Sequence, residues 1–267
     1  MDHLSALENQ SIFIIREAYK KFKKPAMLWS MGKDSCVNVW LARKAFFGRV
    51  PFPVVHIDTT FKFPEMYAYR EHYAKEWGLK LIVGVNEAAK ARGVNYDNND
   101  PVTVCHEMKT VALQQMIEKE KWDGLFVGIR RDEDGTRAKE KYFSPRNIDF
   151  EWNYKDQPPE LWNQFQSDYD PGTHVRIHPL LEWTEVDVWN YVKRENIPLV
   201  DLYFAKNGKR YRTLGCRPIT KPVDSDADTV DKVIEELKNT KISERVGRDQ
   251  DHSQRYAMQK LRAKGYM

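Results

Sequence analysis

Over about the first 190 residues, apolar positions switch repeatedly between a helical period and short strand-like runs, the pattern of a parallel sheet with crossover helices. Leu4 to Phe22 carries apolar residues near helical spacing and predicts an N-terminal helix that Pro25 stops. Ala26 to Trp29 is a short apolar run bounded by Pro25 and Ser30-Met31-Gly32, and predicts a buried strand. Val37 to Phe47 predicts the next helix, with Val37, Val39, Trp40, Leu41 and Ala45 on its packing side. Pro53 to Ile57 is β-branched and strand-like, and Pro64 to Trp77 is helical, with Pro64 suited to the first turn. Leu79 to Val85 predicts a third strand, residues 86–102 a polar surface loop, Thr103 to Lys119 a helix and Gly124 to Ile129 a fourth strand.

The pattern weakens after Arg130. Residues 130–175 are dense in Arg, Lys, Asp, Pro, Tyr and Trp, and a long structureless stretch inside a compact domain is usually functional or disordered. Four Trp and Tyr residues between Trp152 and Tyr169 argue against disorder. Val175 to Leu181 predicts a fifth strand. Thr184 to Arg194 predicts a helix with Thr184 as N-cap and Asp187 three residues on, a capping-box variant. Beyond Thr220 the clear amphipathic helix is Thr229 to Leu237, followed by a basic, helix-capable end. The expected fold is therefore α/β, a doubly wound, five-stranded parallel sheet in residues 1–200. A mixed C-terminal extension, residues 201–267, is expected to close over the site.

Composition narrows the function classes. The chain has 267 residues, long enough to bury a core without disulfides or metal. Its 41% hydrophobic and 31% charged content fits a folded protein rather than a disordered one. No apolar run approaches the roughly 20 residues of a membrane span, and the polar, acidic start does not read as a targeting segment. Cys36, Cys105 and Cys216 are odd in number and far apart, which suits a reducing cytoplasm more than a disulfide framework. A net charge of +4 is too weak to argue for nucleic acid but permits an anionic small-molecule site. Homo-oligomerisation is left open. The histidines lack metal-ligand spacing, so no structural metal is expected.

Chemistry concentrates at strand ends. Ser30-Met31-Gly32-Lys33-Asp34-Ser35 lies between a buried strand and a helix, where backbone N–H groups and the positive end of a helix dipole converge on an anion. Gly32 is expected to permit a tight backbone, Lys33 adds charge, and Ser30 and Ser35 add neutral donors. The spacing is too short for a GxxxxGK[ST] loop. The plain alternative is an ordinary turn with a solvated Lys-Asp. Asp58 and Thr59 end the second strand, and the carboxyl ends of parallel strands face ligands in open α/β sheets; Asp58 could equally cap the turn. Arg130, Arg131 and Arg137 follow the fourth strand, and guanidinium forks suit tetrahedral oxyanions, although a charge run is usually a solvated face.

The segment from Ser30 to Ser35 resembles the PP-loop of the ATP pyrophosphatases, with their adenine nucleotide alpha-hydrolase-like fold. With Leu41 to Phe46, Pro51 to Met66, Met108-Lys109-Thr110, Arg130 to Lys141, Pro159 to Asn163, Arg176 to Tyr191, Tyr211 to Cys216, Ser243-Glu244-Arg245 and Gly265-Tyr266, the resemblance covers nearly the whole chain. It is similar to the small, catalytic subunits of ATP sulfurylase (sulfate adenylyltransferase subunit 2), in the phosphoadenylyl-sulfate reductase group. That resemblance implies that MgATP and sulfate give adenosine 5′-phosphosulfate and pyrophosphate. It implies Lys33 and the PP-loop on the pyrophosphate, and Arg130, Arg131 and Arg137 on sulfate and the α phosphate. Asp58, Asp34 or Asp132 would then orient Mg²⁺ or ribose. It also implies a GTPase large subunit that drives an uphill reaction.

The chain departs from that family in two ways. Phe204 to Arg210 reads as a tight hairpin turn where the family carries a longer insertion before Tyr211, which removes a candidate partner surface. Cys36 and Cys105 are not expected in the family, whereas Cys216 is. The thiols keep a rival open: sulfur insertion through Cys105 and Cys216, by persulfide or an iron–sulfur cluster. Buried, inert cysteines are the commoner case.

Overall fold

The computed structural model describes residues 1–247 apart from 136, 156, 163, 166–168 and 171. The expected helix-capable end and Gly265-Tyr266 lie outside the described residues. Helix α1 (His3–Lys21) starts where the Asp2 side chain accepts the Ser5 N–H at 2.8 Å, and it buries Ile14, Ile15 and Ala18. Strand β1 (Pro25–Leu28) follows, then α2 (Lys33–Ala45), β2 (Val54–Ile57), α3 (Pro64–Glu76) and β3 (Leu81–Gly84). Helix α2 begins four residues earlier than its apolar period suggests. Its first turn is the polar Lys33-Asp34-Ser35, which periodicity cannot see.

The segment expected as a loop, 86–102, contains a short helix, α4 (Glu87–Ala91), because the Asn86 side chain accepts the Ala89 N–H at 3.1 Å. Asp100 then caps α5 (Pro101–Cys105), which runs through a π-helical segment, His106–Val111, into α6 (Ala112–Glu120). A π turn carries one residue more per hydrogen bond than an α turn and is frequent at functional sites; Lys109 stands in this one.

Strands β4 (Gly124–Phe126), β5 (Phe143–Arg146) and β6 (His174–Ile177) complete a six-stranded sheet in the order β3-β2-β1-β4-β6-β5. Five strands are parallel, as expected. The sixth, β5, is an antiparallel edge strand that sequence reading missed. Pro145 and Ser144 spoil its strand signal, and proline is tolerated at a sheet edge because no ladder donor is needed there. The remaining elements are α7 (Glu185–Glu195), capped by the expected Thr184–Asp187 box, the β7 (Lys209–Arg210) and β8 (Val223–Asp224) ribbon, and α8 (Val230–Asn239). Asn207 and Gly208, with φ of 54° and 74°, make the tight turn into β7.

Alternation along the strands feeds two cores. Met27, Val54, Phe126 and Ile177 face the side covered by α1, α2, α3 and α7, while Ala26, Leu28, Val55 and Leu125 face Leu113 and Ile117 of α6. The chain winds outward from β1 to β3 on one side and crosses to β4 and β6 on the other. The order reverses beside β1, and such a switch point opens a crevice at the strands' carboxyl ends.

Candidate active site

A cavity occupies that crevice. It holds about 1160 Å³ of space, the solvent at its mouth included, and its floor is Leu28, Trp29, Val55, Ile57, Val127 and Ile129 from the ends of β1, β2 and β4. Tyr203, Thr213 to Cys216, Ile219, Glu244 and Arg245 close it from the C-terminal region. Five cationic side chains (Lys33, Lys62, Lys109, Arg137 and Arg245) face it against three carboxylates, Asp34, Glu133 and Glu244. With His56 held neutral, the wall is net positive and suits a polyanion.

Of the residues singled out in the sequence, Ser30, Gly32, Lys33, Asp34, Ser35, Thr59, Cys105, Arg137 and Cys216 meet at this cavity. The loop is tied internally. Ser35 Oγ donates to the Gly32 carbonyl at 2.9 Å, and the Ser30 N–H donates to Ser35 Oγ at 3.2 Å. The residue in the left-handed region is Met31, at φ 59°, and not Gly32, which is extended at φ −70°. A Cβ on Gly32 would stand 3.3 Å from Ser30 Oγ, a tight contact with a rotatable hydroxyl, and 3.6 Å from the Tyr203 hydroxyl, an ordinary one. Gly128 is tighter still: its Cβ would meet the Asp34 carbonyl oxygen at 3.0 Å and Ser35 Cα at 3.2 Å. That missing Cβ lets the end of β4 approach the first turn of α2.

The N-terminus of α2 has no side-chain cap, unlike α1, α5, α7 and α8. Its Lys33 N–H donates to the Tyr203 hydroxyl at 2.8 Å. Burial pushes that phenol up to about 12, against the pull of Lys33, so Tyr203 is a neutral proton donor at physiological pH.

Behind the loop lies a dense ion cluster. The Lys33 side chain is 1% exposed, with its ammonium 3.3 Å from Asp34 and in contact with Glu244. Arg130, fully buried, bonds Asp34 and Glu244 and reaches Asp132 at 2.9 Å. Asp132 in turn accepts the Glu185 N–H at the start of α7, at 2.8 Å. Burial raises the Glu244 carboxyl, but Arg130 and Lys33 outweigh it and hold the group well below the carboxylate range. Glu133 is likewise depressed, burial being outweighed by Arg137 and Arg245, both of which it bonds.

Arg130 thus stands behind the cavity wall as the counter-charge of Asp34. Arg131 bonds Glu182 and the Glu140 carbonyl, away from the cavity. Asp58 also lies outside the lining, held by Arg70 at 3.3 Å, the Tyr67 hydroxyl at 2.9 Å and the Thr60 N–H at 2.8 Å.

The cysteines separate into two environments. Cys36 is core: Trp29 Nε1 and the Tyr69 hydroxyl donate to its Sγ at 3.5 and 3.4 Å, and burial pushes the thiol up to about 11. Cys105 sits in the last position of α5, buried, rather than at an exposed helix start. It shares a small apolar cluster with Cys216, and the Tyr96 hydroxyl lies 3.7 Å from Cys105 Sγ. Burial raises the Cys216 thiol, but Lys62, Thr59, Tyr96 and Lys109 together bring it below its ordinary value. No group of three His, Cys, Asp or Glu among the described residues is placed to hold a metal.

Sequence reasoning gave no role to Lys62, Glu244 or Tyr203. Lys62 had a weak signal, a basic residue five positions beyond a strand end. The other two come from distant segments, and only folding brings them to the PP-loop.

The family model for the phosphoadenosine phosphosulfate reductase domain matches residues 24–222. Sulfate adenylyltransferase subunit 2 from Geotalea daltonii is 43% identical over 296 residues, covering 100% of this chain and 98% of that protein. The subunit from Geotalea uraniireducens is 44% identical with the same coverage. An alignment of 296 positions on a chain of 267 leaves 29 positions that this chain skips. Among solved structures, phosphoadenylyl-sulfate reductase from Candida auris, a phosphate complex, superposes with a TM-score of 0.54 at 15% identity, over 82% of this chain and 96% of that one. That last likeness shows the shared fold.

Proposed function

Because the chain belongs to the phosphoadenosine phosphosulfate reductase domain family, in its sulfate adenylyltransferase subunit 2 branch, we propose that this cavity is where ATP and sulfate are joined. The enzyme is a nucleotidyltransferase. A sulfate oxygen bonds the α phosphorus, the bond to the α–β bridging oxygen breaks, and pyrophosphate leaves with the electron pair. The observation that carries the reading is the uncapped N-terminus of α2, with buried Lys33, in a net-cationic cavity at the sheet's switch point.

No general base is required, because sulfate is already ionised; the work is alignment and charge compensation. The first turn of α2 and Lys33 receive the leaving pyrophosphate, with Tyr203 and Arg137 as further donors. Adenine lies over the apolar floor at the ends of β1 and β2. Arg130 acts as a positioning residue: it holds Asp34 and Glu244 around Lys33. The substrate is MgATP; phosphate oxygens would hold most of its cation, with Asp34 or Glu244 beside Lys33 as the carboxylates that would share it. Residues 201–247 act as the cover.

The relatives' designation as subunit 2 implies a large partner for them, and for this chain we propose a GTPase that drives the uphill step. Three free thiols fit a cytoplasmic enzyme, and no helix among the described residues is long and apolar enough to cross a membrane.

The test runs in the downhill direction. Purified chain given adenosine 5′-phosphosulfate and pyrophosphate should form ATP, read by mass spectrometry, and ATP formation should require both. Chain that binds ATP but makes none in this assay, alone or with its co-purified partner, refutes the assignment.

A further inference from the structure

In-line displacement at phosphorus puts the attacking and leaving oxygens on opposite faces. With pyrophosphate at Lys33 and α2, the attacking anion must lie on the far side of the α phosphate. The cations of the cavity differ in what already neutralises them. Lys33 contacts Asp34 and Glu244, and Arg137 and Arg245 both bond Glu133. Lys62 differs from these. Its residue is only 9% exposed, it lines the cavity, and no carboxylate among the described residues lies within ion-pair distance. Burying an ammonium without a counter-charge is costly unless a ligand supplies one.

The surroundings of Lys62 are built for an anion. Thr59, at the end of β2, puts its hydroxyl 3.1 Å from Cys216 Sγ. Lys109 faces the same cavity from the π turn. The Lys62 charge is felt by both His56 and Cys216. His56 is pushed down to about 3 by burial and then by Lys62, and it stays neutral, with Nδ1 bonded to the Trp29 carbonyl at 3.0 Å. A cationic ring beside Lys62 is thereby avoided, and the local charge is left for a ligand. The carboxylate nearest in sequence, Asp58, is committed to Arg70, Tyr67 and Thr60.

We propose that Lys62, with Lys109 and the Thr59 hydroxyl, forms the sulfate subsite, while Lys33 and Arg137 serve the ATP end. This rests on the sulfate-adenylylation reading above. Sulfate enters as a dianion and keeps three of its oxygens on this cluster while the fourth bonds the α phosphorus. No proton is transferred.

The experiment compares wild type, Lys62→Met and Lys62→Arg. Sulfate binding is measured by calorimetry on chain saturated with α,β-methylene ATP, and the Michaelis constants for sulfate and MgATP are measured by pyrophosphate release. Losing one charged hydrogen bond should weaken sulfate binding by about ten- to a hundred-fold, with the MgATP constant unchanged within about twofold and Lys62→Arg recovering part of the loss. Unchanged sulfate affinity in Lys62→Met, or a parallel loss of ATP affinity, overturns the subsite and leaves the activity standing. Wild type that binds the ATP analogue yet shows neither sulfate binding nor sulfate-dependent pyrophosphate overturns the activity itself. A check independent of any variant uses the Cys216 thiol: sulfate with the analogue should slow its alkylation in wild type, and no protection counts against the subsite.

Discussion

Glu244→Gln tests how the C-terminal region is fastened to the PP-loop. In the folded chain the Glu244 carboxylate bridges Lys33 and Arg130, and the side chains of all three are at most 7% exposed. Removing one partner from a buried ion pair typically costs about 3–5 kcal/mol. Here Asp34 still faces Lys33 at 3.3 Å and also bonds Arg130, and Asp132 remains on Arg130 at 2.9 Å, so the lower end applies. A loss of about 3 kcal/mol corresponds to a fall in melting temperature of roughly 6–12 °C for a domain of this size. MgATP should reverse more of that loss than it adds to wild type, because its phosphates no longer compete with a carboxylate for Lys33. The pH dependence has a definite sign. The folded pKa of Glu244 is depressed below its ordinary 4.5, so its stabilisation is complete above that pH and fades as pH falls below it. The wild-type advantage over Glu244→Gln should therefore be full at pH 7 and shrink below about pH 4.5. Thermal melts across pH 3–8, with and without MgATP, measure both. A variant that melts within about 2 °C of wild type at pH 7 would refute the bridging role.

Lys33→Met should lower turnover by about 10²–10³-fold, as the loss of a preorganised donor to developing charge does; single-turnover pyrophosphate release reads it, and unchanged turnover would remove Lys33 from the leaving-group site. Gly128→Ala should cost about 1–3 kcal/mol of stability through backbone overpacking against Asp34 and Ser35 and weaken ATP binding with it; a variant with wild-type melting and affinity contradicts the close approach of β4 and α2. At pH 8, iodoacetamide should label Cys216 well before Cys36, whose thiol is pushed up to about 11, and peptide mass mapping gives the order. Cys105→Ala should keep sulfate-dependent turnover within about threefold, whereas abolished turnover would favour a thiol mechanism of sulfur insertion.

Much of the fold was legible because parallel strands buried on both faces read as short apolar runs, and amphipathic helices show their period. The misses have local causes. Periodicity does not register the polar first turn of α2, the Asn86-capped helix or the Pro145-containing edge strand, since each is defined by caps or pairing rather than by apolar spacing. The PP-loop, Thr59 and Arg137 were readable as strand-end chemistry. Arg130 and Arg131 look alike in sequence, yet Arg130 is buried against Asp34, Asp132 and Glu244 while Arg131 turns outward to Glu182. Adjacent residues leaving a strand point to opposite sides, and only the tertiary fold decides which one faces the site.

By itself the sequence determined the α/β class, the positions of the parallel strands and the place of the candidate anion loop after β1, because these follow from local hydrophobic period and loop composition. The tertiary structure alone decided which charges are already neutralised. Glu244 and Lys33 are 211 residues apart, yet the fold makes them partners. Lys62 is brought beside Cys216 and left without a carboxylate among the described residues. A charge count sums such residues as equals. Their chemistry depends on what lies within a few ångströms, because ion pairing in a low-dielectric interior falls away with distance and is set by long-range packing.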